Sequence, residues 1–173
     1  MTETVALIVA GGRSIRAGGS KPKQYQNLAG IPMLRRTVQC FAKHPAVTKV
    51  RVVLHPEDHA LYEVAVKNLA LPPPVHGGPP RQESCRNGLE ALETDAPTNV
   101  LIHDAARPFV DNNTISRVIE ALSEETPAAV AAIPVADTLK RADYANRVKA
   151  TVDRTELWHA QTPQGFRYTT ILE

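Results

Sequence analysis

The chain is marked first by apolar runs of strand length, set between segments of helical period. Residues 5–9 (VALIV) contain no polar position, and 49–55 (KVRVVLH), 99–103 (NVLIH) and 128–135 (AAVAAIPV) have the same largely apolar character. Such runs read as strands of a sheet buried on both faces. Between them, apolar residues recur three or four apart. Residues 34–43 place Leu34, Val38 and Phe41 on one side and stop at His44 and Pro45. Residues 56–71 turn Leu61, Tyr62, Ala65, Val66 and Leu69 inward and close on Pro72, Pro73 and Pro74. Further helices are predicted at 81–93 and at 113–123, the latter with Ile115, Val118, Ile119 and Leu122 inward, and extended pieces at 75–76 and 157–165. Buried strands alternating with single amphipathic helices predict an α/β fold, a parallel sheet with helices on both faces. There is no internal repeat.

In an open parallel sheet, ligands sit beyond the carboxyl ends of the strands, so the turns after the strands carry the candidate chemistry. The first, residues 10–24 (AGGRSIRAGGSKPKQ), follows the apolar run directly. Gly11 and Gly12 allow close backbone approach, while Arg13, Arg16, Lys21 and Lys23 bring four cations and no acid. This suits a triphosphate held by backbone amides and cations. It is neither a G-x-x-x-x-G-K-S/T loop nor a G-x-G-x-x-G turn. A solvated loop whose lysines aid solubility has the same composition, so these residues alone leave both readings open. At the second turn, His55 and His59 lack a third ligand and read as surface histidines. At the third, Gly77 and Gly78 let a flat base approach the backbone, and Ser84 adds a hydroxyl on the next helix. The fourth is HDAARP, residues 103–108. Asp104, at a strand end beside the basic loop, is a candidate ligand for Mg²⁺; its alternatives are a helix cap or a partner for Arg107.

Composition narrows the classes. The 173 residues fit one domain, and 43% apolar content suffices for a core of ordinary size. A formal charge of +2 is too small to imply a nucleic-acid binder, so the basic loop reads as a local feature rather than part of a basic face. No apolar run approaches a membrane span, and residues 1–4 show no signal peptide, so a cytoplasmic protein is expected. Cys40 and Cys85 are then reduced and structural. Residues 137–154 break the pattern, with short extended arms at 138–140 and 148–152 around a polar turn holding Asp143, Ala145 and Asn146. So thin a hairpin must lean on something else, and a partner subunit is the natural candidate.

The set AGG-x-S-x-R with KPKQ, GG followed by Ser84, HDAARP, DT-x-KR, TVDR and LWHAQTPQ resembles the 2-C-methyl-D-erythritol 4-phosphate cytidylyltransferases of the non-mevalonate isoprenoid pathway, over almost the whole chain. The resemblance implies a Rossmann-like, mostly parallel sheet of the nucleotide-diphospho-sugar transferase type with a protruding β-arm at about 137–155. It implies that CTP and methylerythritol phosphate are joined with release of pyrophosphate. Arg16 and Lys23 would be the catalytic cations. The nucleotide would lie on Ala10, Gly11, Gly12, Gly77, Gly78, Ser84, Asp104 and Ala105, with Mg²⁺ at Asp104. Arg107, Thr138, Arg154 and Thr162 would grip the acceptor, and a homodimer would form through the arm. The sequence is similar to members fused to a cyclodiphosphate synthase. Pro79 stands where many members have an acid, and Glu173 falls ahead of the family's last helix and N-x-K-x-S/T stretch, which implies a single domain that is C-terminally incomplete.

The implied chemistry is attack of a phosphate monoester on the α-phosphorus, a meeting of two polyanions that needs cations rather than a general base. A transferase of the same fold acting on ribitol 5-phosphate would share the loop and Asp104 and differ on the arm. A non-catalytic nucleotide-binding module would bind CTP and release no pyrophosphate, and a purely structural fragment would do neither.

Overall fold

The computed structural model describes residues 2–13 and 21–172. In chain order the elements are β1 (Thr4–Ala10), a small hairpin of β2 (Asn27–Leu28) and β3 (Ile31–Pro32), α1 (Met33–Ala42), β4 (Lys49–Leu54), α2 (His59–Val66), β5 (Val75–His76), α3 (Arg81–Glu90), β6 (Asn99–Asp104), α4 (Asn112–Glu120), β7 (Ala128–Pro134), β8 (Lys140–Ala142), β9 (Val148–Thr151), β10 (Trp158–Arg167) and α5 (Tyr168–Ile171). Six strands form one sheet in the order β5-β4-β1-β6-β10-β7. The wholly apolar β1 takes a central place, parallel to β4 on one side and β6 on the other, with Val9 opposite both Val53 and Asp104.

Alternate residues of β1 feed two cores. Ala6 and Ile8 pack with Leu34, Val38 and Phe41 of α1, Tyr62 of α2 and Ile115 of α4. Val5 and Leu7 pack on the other face with Leu89 at the end of α3, Leu92 and Tyr168 of α5. Helices therefore cover both faces, as a strand without polar positions requires. Gly88 lets α3 lie flat on the sheet, since a Cβ there would come within 2.7 Å of Leu7 and Val53 side-chain carbons.

The structure corrects the sequence reading in four places. First, β10 runs antiparallel to both β6 and β7, so the sheet is mixed; this strand follows the β8–β9 hairpin rather than a crossover helix, and nothing returns the chain to the parallel direction. Second, the helix expected over 56–71 begins with a single 3-10 turn at Pro56–Asp58 and ends at Val66, close to Asn68, whose φ of 63° is left-handed. Third, the first strand of the arm starts at Lys140, leaving Thr138 outside it. Fourth, the structure adds a β2–β3 hairpin, turned by Ala29 at φ 49° and Gly30 at φ 78°, within a stretch where the sequence pattern predicts no element. The arm itself is present as a separate two-stranded sheet whose strands are exposed throughout. No described helix is long and apolar enough to cross a membrane.

Candidate active site

The carboxyl ends of β1 and β6 and the start of α3 enclose a cleft of about 570 Å³. Its floor is the corner where β1 leaves the sheet at Ala10, Gly11 and Gly12. Gln24, only 4% exposed, braces that corner by donating Nε2 to the carbonyls of Ala10 at 2.7 Å and Gly12 at 3.0 Å. Lys23, next to it in a 3-10 turn, is exposed and lines the cleft. The Ala105 amide donates to the Val9 carbonyl at 3.0 Å, which fixes the start of the HDAARP turn against the same corner.

Ser84 forms the far wall. It is buried on α3, and its Oγ donates to the Gly78 carbonyl at 2.9 Å. A Cβ on Gly11 would stand 2.9 Å from that Oγ, and one on Gly77 would stand 2.5 Å from it. The absence of a Cβ at Gly11 and Gly77 is thus explained by the packing of Ser84 between two turns. Gly77 and Gly78 do not themselves line the cleft; Pro79, Arg81 and Ser84 do.

Asp104 is the one carboxylate among the lining residues, against the cations Lys23, Arg81 and Arg107. Three positive charges to one negative make the cleft a site for an anion. The carboxylate lies between two of those cations: Oδ1 accepts from Arg81 Nε at 3.2 Å and Nη2 at 3.1 Å, and Oδ2 accepts from Arg107 Nε at 3.0 Å. The partnership with Arg107 weighed from the sequence is therefore formed, and Arg81 joins it from α3. Arg107 also donates Nη1 to Gln161 Oε1 at 2.5 Å. Behind it His103, fully buried with its ring centroid 4.8 Å from that of Phe41, donates Nε2–H to the Arg107 carbonyl at 3.0 Å. Burial pushes the imidazole below its ordinary pKa, which keeps it neutral, with the proton on Nε2.

A second cleft of about 880 Å³ shares Lys23, Ala106 and Arg107 with the first and runs between α4 and β7 to Gln161 and Thr162. The Thr162 hydroxyl is buried without a hydrogen-bond partner among the described residues. Lys23 thus stands where two spaces meet, an arrangement suited to two anionic reactants approaching each other.

Of the residues singled out from the sequence, Ala10, Gly11, Gly12, Lys23, Ser84, Asp104, Ala105 and Arg107 converge on the first cleft, and Thr162 joins the second. Arg16 lies outside the described residues. Thr138 and Arg154 line neither cleft; Arg154 Nη1 donates to the Ala136 carbonyl at the base of the arm. Gln24, Arg81, His103 and Gln161 were missed as positioning groups. Gln24, His103 and Gln161 sit inside the KPKQ, HDAARP and LWHAQTPQ motifs, and Arg81 follows the proline pair of GGPPR, so each of the four carried a signal by position.

No group of three His, Cys, Asp or Glu side chains among the described residues could hold a metal ion. Both oxygens of Asp104 are taken by guanidinium groups. A divalent cation fits here only if phosphate oxygens of a substrate supply most of its shell, which is the usual manner of Mg²⁺.

The model of the family described as IspD, 2-C-methyl-D-erythritol 4-phosphate cytidylyltransferase, matches residues 4–173. The chain belongs to this family. It is 56% identical over 170 residues to a bifunctional enzyme IspD/IspF of Rhodopseudomonas palustris, covering 98% of this chain and 42% of that one. It is 53% identical over 172 residues to a bifunctional enzyme IspD/IspF of Paramagnetospirillum magneticum, covering 99% and 44%. The chain therefore spans less than half the length of these relatives. A solved structure of a 4-diphosphocytidyl-2C-methyl-D-erythritol synthase superposes with a TM-score of 0.84 at 36% identity, covering 99% of this chain and 78% of the other. The mostly parallel α/β sheet is thus the fold of this cytidylyltransferase family.

Proposed function

We propose that the chain carries a cytidylyl transfer, joining CTP and 2-C-methyl-D-erythritol 4-phosphate to give 4-diphosphocytidyl-2-C-methyl-D-erythritol and pyrophosphate in the non-mevalonate isoprenoid pathway. The observation that supports this most is the junction of the two clefts at Lys23, with an excess of cations over carboxylates in the first. The family match supports the choice of substrates.

On this reading the triphosphate lies along Gly11 and Gly12, the cytosine faces the wall made by Ser84, and the acceptor phosphate enters from the second cleft towards Thr162. Lys23, with Arg16, offsets the charge that accumulates on the α-phosphorus oxygens and on the departing pyrophosphate. Arg107, anchored by His103 and Gln161, keeps Asp104 beside the nucleotide. Asp104 would hold Mg²⁺ together with the phosphates, and the bound ion would supply further neutralisation of phosphate charge. The acceptor phosphate is already ionised at neutral pH, so positioning and electrostatics suffice.

Residues 1–173 form one nucleotidyltransferase domain on this reading, and the exposed β8–β9 arm crosses to a second copy in a homodimer. The bifunctional relatives support a fused cyclodiphosphate synthase domain in the whole protein. The free thiols Cys40 and Cys85 suit the cytoplasm.

Full-length protein incubated with methylerythritol phosphate and each of the four nucleoside triphosphates, assayed for pyrophosphate, tests the proposal. Release with CTP and methylerythritol phosphate together supports it. Release with ribitol 5-phosphate instead, or binding of CTP without release, overturns it.

A further inference from the structure

We infer that Thr37, a buried residue of α1 that lines neither cleft, is a positioning residue that aims a main-chain donor at the phosphates. Its hydroxyl holds the Ala105 carbonyl towards α1, which turns the Ala106 N–H into the first cleft. Thr37 Oγ1 lies 2.8 Å from the Ala105 carbonyl oxygen and 3.1 Å from that of Met33. The hydroxyl carries one proton. The Met33 carbonyl already receives the helix bond from the Thr37 amide, whereas no other donor reaches the Ala105 carbonyl among the described residues. The shorter contact is therefore the donated one.

The direction of that carbonyl decides what its neighbour presents. The Arg107 amide donates to the Asp104 carbonyl at 3.0 Å, closing a turn with Ala105 and Ala106 at its centre. In a trans peptide the C=O and the following N–H point to opposite sides, and this central peptide is the one that reverses between type I and type II turns. α1 packs on one face of the sheet, and α3, which walls the first cleft, packs on the other. With the Ala105 carbonyl held to α1, the Ala106 N–H faces the first cleft, which Ala106 lines. The reverse orientation would set a carbonyl oxygen against the phosphates.

The rest of the turn does not depend on Thr37. The Ala105 amide is held by the Val9 carbonyl, His103 donates to the Arg107 carbonyl, and Cys40 Sγ reaches the Pro108 carbonyl at 3.6 Å. Loss of the hydroxyl therefore leaves the turn in place and frees its central peptide. Ala106 has a negative φ, and a complete reversal would need a positive one. The donor is misaimed rather than replaced by an acceptor.

The proposal rests on the nucleotide reading above, and its test has an arm that uses no nucleotide. Full-length wild type and the variants Thr37→Val, Thr37→Ser and Thr37→Ala are titrated with inorganic pyrophosphate and with CTP by calorimetry, and the fold is checked by thermal unfolding. Valine keeps the branched shape and loses the donor, while serine keeps the donor. Thr37→Val should bind both anions about tenfold more weakly than wild type, as loss of a hydrogen bond to a charged group implies. Thr37→Ser should restore the binding. In protein labelled with ¹⁵N-alanine, pyrophosphate should move the Ala106 amide proton downfield in wild type and Thr37→Ser, and less in Thr37→Val. If Thr37→Val does not fold, the serine and alanine variants, which differ by one oxygen, carry the same comparison. Equal pyrophosphate binding with and without the hydroxyl, a loss in Thr37→Ser as large as in Thr37→Val, or an Ala106 resonance in wild type that pyrophosphate leaves in place overturns the proposal. If CTP fails to bind while pyrophosphate separates the variants, the nucleotide reading falls and the role of Thr37 stands.

Discussion

Gln24 donates its side-chain amide to the carbonyl of Ala10 at 2.7 Å, joining residues fourteen positions apart across the corner where β1 leaves the sheet. Both residues are buried, so the Ala10 carbonyl has no solvent to replace this donor. Gln24→Ala should cost about 1–3 kcal/mol of stability, the usual penalty for orphaning a buried acceptor. Gln24→Glu should do at least as badly, because a carboxylate would face two carbonyls. Urea unfolding checks the first effect. An increase in KM for CTP larger than the fall in kcat checks that the corner carries the nucleotide.

Lys23 is exposed and its removal leaves no cavity, so its variants report on chemistry rather than folding. If its ammonium meets charge that develops in the transition state, Lys23→Ala should lower kcat by roughly 10² to 10³ fold, as loss of one oxyanion donor does. The effect on CTP binding should be smaller. Arg16→Ala should behave in the same way. Turnover near wild type in either variant would take the basic loop out of the mechanism.

The central sheet was legible because residues 5–9 have no polar position and can lie only between two layers. The direction of β10 was not legible, since extended character in one segment does not say which way the strand runs beside β6 and β7. Residues carried by contiguous motifs, such as Ala10, Gly11 and Gly12, come together at one cleft because they are neighbours in the chain. The Arg81–Asp104 contact spans 23 positions and depends on how α3 docks on the sheet, which no local pattern encodes. Thr138 and Arg154 show the opposite limit. The resemblance joined them to the acceptor site, and within one chain they line neither cleft.

Tyr25 gives the protein an alkaline limit. The residue is fully buried beside the Lys23 turn, and its hydroxyl has no partner among the described residues. Burial drives the phenol far above its ordinary pKa, with the Asp58 carboxylate and then Tyr62 adding to the shift. The unfolded chain releases this proton near pH 10 while the folded chain holds it. The contribution to stability is therefore fully present below about pH 10 and declines as pH rises above that value. Tyr25→Phe should flatten the fall in unfolding midpoint above pH 10. At pH 8 it should change stability by less than about 1 kcal/mol, because the lost hydroxyl made no bond. An unchanged alkaline slope would show that another group sets the limit.

A site shared between subunits, as proposed above, would account for the arm. The strands β8 and β9 are exposed along their length, Tyr144 at the tip and Val148 have no cover among the described residues, and Arg154 donates to the Ala136 carbonyl at the base of the arm. If the arm crosses a two-fold axis, each site combines Lys23 of one chain with Thr138 and Arg154 of the other. Lys23→Ala and Arg154→Ala should each give a homodimer of very low activity. Unfolded and refolded together, they form mixed dimers in which one site carries both defects and the other carries neither. Random pairing makes half the dimers mixed, so about a quarter of all sites should recover, as two-fold symmetry requires. A site built within one chain would leave every site in the mixture with one defect. Subunit exchange demonstrated by differently tagged chains, with no activity above the separate variants, would exclude the shared site and leave Thr138 and Arg154 without a role in it.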